Sequence, residues 1–274
     1  MATIAIYSLK GGVGKTTLAV NLAWCAATIS ARRTLLWDLD AQAASSWLLD
    51  GDGSGGARAR GVFVKDVAAA AQIVPTRFER LDLLRADASL RDLDRQFVDI
   101  GKRKRLARLI ENLAHDYERV VLDCPPGLTE TSDQAIRAAD LIVVPVVASP
   151  LSQRALDAMT AHLTREHGKH APLLAVHSMI DRRRGLHLAA LAANPDWPAV
   201  PMASAFETMS ARGLMSEVEV MRVRRQLNDL QLQTQERINR FRQEAAGEMV
   251  RVRNELALLE EQMVVRDDAL RRTT

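Results

Sequence analysis

Short and almost entirely apolar runs recur along the first two-thirds of the chain. They predict β-strands at Thr3–Ser8, Arg33–Asp40, Arg80–Ala86, Arg119–Pro126, Leu141–Ala148 and Pro172–Ile180. Helical spacing of apolar residues between the runs predicts helices, for example at Thr16–Ala27 and Lys104–His115. Repeated alternation of apolar strands with helices is typical of a parallel sheet covered on both faces. We therefore predict a doubly wound, mainly parallel α/β fold, whose ligands bind at the carboxyl ends of strands.

The pattern changes near residue 216. Ser216–Thr274 contains no proline and a single glycine, and its apolar residues recur in alternating steps of four and three. This a/d heptad seam comprises Ala245, Met249, Val252, Leu256, Leu259 and Met263, and it extends to Ile238 and Leu270 with an interruption at Arg266. We predict one α/β domain at 1–215 and a long helix at 216–274. The helix either forms a coiled coil, with itself or a partner, or folds back onto the domain.

Composition narrows the class of protein only slightly. The 274 residues are 47% apolar, which is enough for a core, and the formal net charge is +3 with a pI near 9.1. Cys25 and Cys124 have no metal-like spacing, which favours a reduced cytoplasmic compartment. No run approaches the roughly 18 apolar residues of a membrane span, so we expect no stable membrane insertion. The glycine-rich stretch Asp50–Gly61 is interpreted as a surface loop.

The stretch YSLKGGVGKTT, from Tyr7 to Thr17, lies between the first strand and the first helix and resembles a phosphate-binding loop. The usual pattern G-x-x-x-x-G-K-[ST] requires glycine at position 9, which is Leu9, and a second lysine follows at Lys10. Glycines let successive backbone N–H groups surround phosphate oxygens, and the following helix adds its positive N-terminal dipole. The predicted nucleotide-binding residues are Gly11, Gly12, Val13, Gly14, Lys15, Thr16 and Thr17.

Within this loop, Lys15 is placed to reach the β- and γ-phosphates, and the Thr16 hydroxyl to bind Mg²⁺. Carboxylates follow two other strands. Asp38 and Asp40 are two residues apart and share one face of their strand, and Asp123 ends another strand in the position of a Walker B aspartate. Carboxylates beside a phosphate site would repel the ligand unless they organise Mg²⁺ and an attacking water. We therefore predict ATP and Mg²⁺ as ligands.

Three motifs in this order, KGGVGKTT, DLDAQ and YERVVLDCPP, resemble the ParA/MinD group of deviant Walker A ATPases. Further segments resemble ParA more than MinD. These are Val74–Asp94, Ser132–Met159 and the motif MIDRRRGLH that begins at Met179. The resemblance covers about residues 1–215 and implies a P-loop ATPase fold.

The resemblance also implies a role for each matching residue. Lys10 matches the lysine that crosses an ATP-sandwich dimer to the partner's phosphates, and Lys15 matches the ordinary P-loop lysine. Asp40 matches the residue that positions the attacking water, so that Lys10, Lys15 and Asp40 are the catalytic candidates. Asp38 and Asp123 match residues that organise Mg²⁺, directly or through water, together with Thr16.

Two residues depart from the family pattern. Ala41 replaces the usual proline of D-P-Q, and His177 stands where many relatives carry a small polar residue near the base. These departures leave the details of water positioning and base contact open.

The resemblance further implies a bacterial, cytoplasmic switch. Its ATP-bound homodimer binds nonspecific DNA on the nucleoid, and a ParB-like or cargo-adaptor partner stimulates hydrolysis and release, which positions a plasmid, chromosome or protein cargo. Nonspecific binding requires cations that contact phosphates. The candidates are Arg182, Arg183 and Arg184, which align with the region that ParA proteins use. Two further basic clusters are Lys102–Arg105 and the tail arginines within Arg222–Arg225. Lys102–Arg105 is explained equally well as an ordinary solvent-exposed face.

Other classes remain as alternatives. A MinD-like membrane-associated regulator of cell division needs a short amphipathic C-terminal helix, whereas this helix is long and heptad-like. Enzymes of small-molecule metabolism in this group need an additional substrate segment. Reductase relatives need cluster cysteines, and Cys25 instead falls on the first predicted helix.

Overall fold

The computed structural model describes most of the first 202 residues and a few beyond them. The described residues are 1–50, 59–64, 68–92, 104–167, 170–202, 236–240, 243–244 and 247. The surface loop predicted at Asp50–Gly61 lies largely outside them, as does most of the segment Ser216–Thr274 with its predicted coiled coil. The chain divides into two compact units, Met1–Thr234 and Gln235–Thr274. In the second unit the backbone at 236–240 is helical, while the heptad seam stays a prediction.

The first unit is organised around one sheet. The strands in the described residues are β1 (Ala2–Ile6), β2 (Thr34–Asp38), β3 (Ile73–Pro75), β4 (Leu81–Leu84), β5 (Arg119–Asp123), β6 (Leu141–Val147), β7 (Leu173–Ile180) and β8 (Ala199–Pro201). Their spatial order is β3-β4-β2-β5-β1-β6-β7-β8. Every neighbouring pair is parallel except β3 with β4. The predicted mainly parallel α/β fold is therefore confirmed.

Helices connect these strands. They are α1 (Lys15–Thr28), α2 (Ala44–Asp50), α3 (Gly61–Val64), α4 (Arg105–Glu111), α5 (Glu130–Ala138), α6 (Pro150–His167) and α7 (Gly185–Ala193), with 3-10 turns at Ala69–Gln72 and Ala88–Asp92. Both β1 and β2 are buried at every position, which requires cover on both faces of the sheet. None of the helices in the described ranges is long and apolar enough to cross a lipid bilayer.

The register of the central strands aligns their carboxyl ends. Asp123 pairs with Ile6 of β1 on one side and with Asp38 of β2 on the other. The chain that leaves each of these strands therefore starts from the same edge of the sheet. This alignment places the glycine-rich loop after β1 beside the carboxylates that end β2 and β5.

The structure adds elements that the hydrophobic pattern did not predict. β3 and β8 each span three residues and end in a proline, at the two edges of the sheet. Such short strands show too few residues for a periodic signal, and proline is tolerated at an edge because no ladder hydrogen bond is lost there. The helix predicted at Lys104–His115 is shorter in the structure than in the prediction. It spans Arg105–Glu111 as α4, and turns follow it.

The core beside β2 is anchored by an aromatic pair. Trp37 is 1% exposed, and its ring centroid lies 5.6 Å from that of Phe63. Buried aromatic side chains contribute more to the free energy of folding than other core residues because they bury the largest apolar areas. Trp37 therefore couples α3 to the strand that carries Asp38.

We expect Trp37→Ala to lower the free energy of unfolding by roughly 3–5 kcal/mol, since it removes a large side chain from a packed core. Urea denaturation followed by circular dichroism measures the loss. Trp47→Ala is the matched control, because Trp47 is 47% exposed, and a surface change of this kind should stay within about 0.5 kcal/mol. Equal losses in the two variants would contradict this account of the core.

Candidate functional site

The loop between β1 and α1 has the backbone of an anion-binding turn. Gly12 and Gly14 adopt φ angles of 69° and 89°, a left-handed region that side chains disfavour. Gly14 is the N-cap of α1, and the first turn of that helix carries no acidic residue. The N-terminal N–H groups of α1 and its dipole are therefore not neutralised by the helix itself, and an anion is favoured there.

The two lysines of the loop diverge. Lys15 Nζ donates to the Lys10 carbonyl oxygen at 3.4 Å, and the Lys15 side chain is buried. Lys10 Nζ instead lies 3.4 Å from Ser152 Oγ on α6. Burial lowers the pKa of Lys15, and the nearby carboxylates of Asp123 and Asp40 oppose this shift. One cation is thus fixed inside the loop, while the other lies against the neighbouring helix.

Asp38 is completely buried at the end of β2 and is held by α2. Its Oδ2 accepts hydrogen bonds from Ser46 N at 2.9 Å and Ser46 Oγ at 2.8 Å, and its Oδ1 accepts from Asp40 N at 3.1 Å. Burial and the neighbouring Asp123 raise the pKa of Asp38 to about 7, against the effect of these hydrogen bonds. Three donors therefore fix the direction of this carboxylate.

Asp123 lies opposite Asp38 and is 1% exposed. Ser45 Oγ donates to its Oδ2, whereas its buried Oδ1 has no hydrogen-bond partner within the described residues. Burial raises the pKa of Asp123 to about 6, and hydrogen bonding by Ser45 and Thr16 opposes the shift. An orphaned carboxylate oxygen beside the Thr16 hydroxyl is a donor set that suits Mg²⁺, which takes few protein oxygens and completes its shell with phosphate and water.

Within the described residues, the side chains of histidine, cysteine, aspartate and glutamate form no cluster of three that could hold a metal by themselves. Asp38 and Asp123, predicted from the sequence as metal-organising residues, are brought to one edge of the sheet by the register of β2 and β5. Thr16, the third predicted residue, lies in the first turn of α1 and hydrogen-bonds to Asp123.

Asp40 occupies the mouth of the site. It is half-buried, and its Oδ1 accepts a hydrogen bond from Gln42 N at 2.9 Å. Its backbone carbonyl accepts from Ala43 N at 2.8 Å, which closes a turn that includes Ala41. Asp40 also contributes to the electrostatic field at both Lys15 and Asp123. The turn therefore forms without the proline that the family usually has, and it holds Asp40 beside the phosphate loop.

Several residues that position the site were not singled out in the sequence. Ser45 and Ser46 each hold one of the two buried carboxylates, and Ser46 Oγ also accepts from Ala86 N at 2.9 Å. The adjacent serines shortly after Asp40 were the available signal. Ser152 and Ser178 had no signal, because each meets the loop from a distant part of the chain.

His177 is placed in the interior and away from the loop. It is 2% exposed, its Nε2 lies 3.0 Å from the Asn194 carbonyl oxygen, and its ring packs on Trp197 at a centroid distance of 5.1 Å. The residues of β7 that meet the loop are Ser178 and Met179. A Cβ built on Gly14 would lie 3.2 Å from Ser178 Oγ and 3.5 Å from Met179 Cε. The base contact therefore stays open, and the contacts of β7 with the phosphate loop come from the two residues that follow His177.

The three candidate arginines form the exposed turn between β7 and α7. Arg183 makes a bidentate ion pair with Asp181, at 2.9 Å and 3.0 Å. This pair lowers the pKa of Asp181 to about 2. Arg182 and Arg184 have no ion pair with any described residue. The turn is anchored by Asp181 N, which donates to the buried His187 Nδ1 at 3.1 Å.

Comparison with known proteins agrees with this geometry. The family described as "AAA domain" matches residues 1–174. The sporulation initiation inhibitor protein Soj of Bacillus subtilis is 37% identical over 145 residues, which are 52% of this chain and 57% of Soj. The chromosome partitioning protein ParA of Caulobacter vibrioides is 31% identical over 197 residues, which are 68% of this chain and 72% of that protein. The chain belongs to the ParA family.

The chain thus spans little more than half the length of Soj but most of the Caulobacter ParA. Solved structures of similar proteins support the fold. A plasmid partition protein of Borrelia burgdorferi with bound AMPPNP has a TM-score of 0.75 at 20% identity, covering 85% of this chain and 99% of its own. Apo McdA of Cyanothece has a TM-score of 0.72 at 20% identity, covering 83% and 97%. At these identities the likeness shows the ParA-type fold.

The paired carboxylates lead to a pH dependence. Because burial raises the pKa of Asp38 and Asp123, the metal-free folded chain binds more protons than the unfolded chain between about pH 4 and pH 7. Their contribution to the free energy of unfolding is therefore favourable at low pH and is lost as pH rises through this window. We expect the free energy of unfolding of Asp38→Asn, relative to that of the parent, to be higher at pH 8 than at pH 5.

Urea denaturation in EDTA at both pH values measures this difference. Asp157→Asn, on the exposed face of α6, is the control and should follow the parent at each pH. Mg²⁺ binds deprotonated carboxylates, so it should stabilise the parent more at pH 8 than at pH 5. A difference between Asp38→Asn and the parent that shrinks as pH rises would contradict the assigned burial effect.

Proposed function

We propose that this ParA-family chain is an ATPase whose ATP-bound form is a sandwich dimer that binds nonspecific DNA. The observation that carries the proposal is the divergence of the two loop lysines. Lys15 is fixed within its own loop, whereas Lys10 contacts a neutral hydroxyl on α6 and no carboxylate among the described residues. A lysine with so weak an internal partner is available to an anion that arrives from outside the subunit.

ATP hydrolysis needs little covalent chemistry from the protein, because phosphoryl transfer is promoted mainly by positioning and by charge stabilisation. The loop N–H groups and Lys15 hold the β- and γ-phosphates. Thr16 and, directly or through water, Asp38 and Asp123 would hold Mg²⁺, which would neutralise charge on the phosphates. Asp40 lies close enough to Lys15 and Asp123 to contribute to the electrostatic field at both, and it orients the attacking water.

Dimerisation through the nucleotide face follows from charge and exposure. Two stacked triphosphates repel each other, and Lys10 delivered by the partner subunit neutralises part of that charge. Apolar side chains are also exposed in the segments that follow β5 and β6. Leu151 is 68% exposed one residue before Ser152, and Leu128 is 54% exposed in the loop after β5. Apolar residues around a charged centre are suited to a protein interface that excludes water.

Binding to DNA is assigned to the arginine turn. Arg182 and Arg184 are exposed, and neither is neutralised by a described carboxylate. Contacts of this kind go to phosphates and carry no sequence information, so binding should depend on salt and not on sequence. A dimer brings two such turns to one duplex.

The cellular role we infer is the positioning of a plasmid, chromosome or protein cargo. Support comes from the names of the relatives, which include chromosome partitioning proteins and a plasmid partition protein. A ParB-like or cargo-adaptor partner stimulates hydrolysis and releases the dimer from DNA. The helix predicted at 216–274 supplies a coiled coil for self-association or for docking that partner.

We expect Lys10→Ala to bind ATP as the parent does but to remain monomeric with ATP and Mg²⁺, because the trans contact is lost. Light scattering coupled to size-exclusion chromatography measures the mass, and calorimetry measures nucleotide affinity. Asp40→Ala is the matched comparison, since it should hydrolyse ATP slowly and accumulate as a dimer. A Lys10→Ala dimer formed with parental affinity would remove Lys10 from this role.

We expect the double variant Arg182→Glu, Arg184→Glu to lose binding to nonspecific DNA while it retains ATP-dependent dimerisation. Fluorescence anisotropy of a labelled duplex at several salt concentrations measures the binding. The matched control is Arg77→Glu with Arg165→Glu, which changes formal charge equally at exposed sites elsewhere. If both double variants lose affinity equally, net charge and not the arginine turn is responsible.

A further inference from the structure

The Ser178 side chain of β7 supports the middle of the phosphate loop. Ser178 Oγ donates a hydrogen bond to the Val13 carbonyl oxygen at 2.7 Å, and Ser178 is 6% exposed. The Val13 side chain is also buried. Among the described residues, Ser178 is the hydrogen-bond donor to this carbonyl oxygen. The contact is short, shielded from water and made to the peptide that joins Val13 to Gly14.

The direction of this contact fixes the direction of a donor. A peptide bond is planar and trans, so its C=O and the following N–H point in opposite directions. Because the Val13 carbonyl points at Ser178 of β7, the Gly14 N–H points away from β7. Gly14 is the N-cap of α1, so this N–H belongs to the row of donors that meets a phosphate at the helix N-terminus.

The glycines on either side of Val13 do not by themselves hold this peptide in one orientation. Gly12 and Gly14 flank Val13, and glycine adopts positive and negative φ with similar ease. The flanking glycines therefore permit the peptide to rotate and turn its carbonyl toward the nucleotide site. A carbonyl there would repel phosphate oxygens, so an external hydrogen bond is needed to select the productive orientation.

The backbone of β7 is shaped to deliver Ser178 to this position. The register between β7 and β8 shifts between His177 and Ile180, and Met179 adopts a φ of 57°, which non-glycine residues disfavour. The same irregularity places Met179 Cε 3.5 Å from the position that a Cβ on Gly14 would occupy. Local strain of this kind persists where the surrounding structure determines it, commonly at functional sites.

We propose that Ser178 is a positioning residue for the nucleotide, which acts by holding the Val13–Gly14 peptide with its N–H toward the phosphates. This inference rests on the proposed binding of ATP by the loop. Ser178 does not touch the nucleotide in this account. Its hydroxyl raises the fraction of subunits whose loop is competent to bind, and apparent affinity scales with that fraction.

The test compares Ser178→Ala with the parent in full-length protein, by calorimetric titration with ATP or ADP in the presence of Mg²⁺. Without the hydroxyl the Val13 carbonyl lacks its partner and the peptide samples both orientations. If the competent fraction falls to about one tenth, the dissociation constants for ATP and ADP each rise about tenfold. The turnover rate at saturating ATP should change less than about twofold, because saturation selects the competent orientation.

Ser178→Thr retains the hydroxyl and should bind nucleotide with parental affinity. Ser178→Val has the shape of the threonine variant without the hydroxyl, and it should bind as weakly as Ser178→Ala. A role limited to stability would lower the melting temperature and the binding stoichiometry without changing the dissociation constant. That outcome, or equal affinities for Ser178→Thr and Ser178→Val, would overturn the proposal. Should the parent itself fail to bind ATP, the proposed function fails instead, so the two failures are distinguishable.

Discussion

Two carboxylates, Asp38 and Asp123, are buried side by side at the ends of adjacent strands, and the rest of the site is arranged around them. Burying two carboxylates in their charged form is unfavourable, and the pKa of each is raised for this reason. Ser45 and Ser46 offset part of this cost with hydrogen bonds, and Lys15 offers a compensating charge. The proposed Mg²⁺ would complete the compensation, at a position that follows from the way β2 and β5 pair.

The phosphate loop contributes hydrogen-bond donors and positive charge next to these two carboxylates. Its donors come from backbone, from the start of α1 and from Lys15, and their directions are controlled by contacts from outside the loop. Ser178 meets the Val13 carbonyl, and Ser152 meets the Lys10 side chain. β7 also continues into the arginine turn, so the strand that supports the nucleotide loop is the one that presents Arg182 and Arg184. The nucleotide site and the candidate DNA surface are thereby built on one element.

Much of this arrangement could be predicted from local pattern. The apolar runs indicated the strands of the inner sheet, and the motifs indicated Lys10, Lys15, Asp38, Asp40 and Asp123. The edge strands β3 and β8 were missed, because three residues ending in proline carry no periodicity. The contacts of β7 with the loop were not predicted either: His177 is buried, and the residues that meet the loop are Ser178 and Met179. Contacts between residues far apart in the chain leave no local signal.

The sequence alone determined the fold class and the family, and it predicted ATP and Mg²⁺ as the ligands. It could do so because glycine spacing, strand-ending aspartates and a lysine in an unusual place are local properties with direct physical meaning. Only the tertiary structure decided which side chains hold that chemistry in position. In the sequence, nothing distinguishes four serines from any others: Ser45, Ser46, Ser152 and Ser178. The sheet register and the helix positions bring the hydroxyl of each to a carboxylate, an ammonium or a carbonyl group. Their role depends on distance and direction, which no linear pattern specifies.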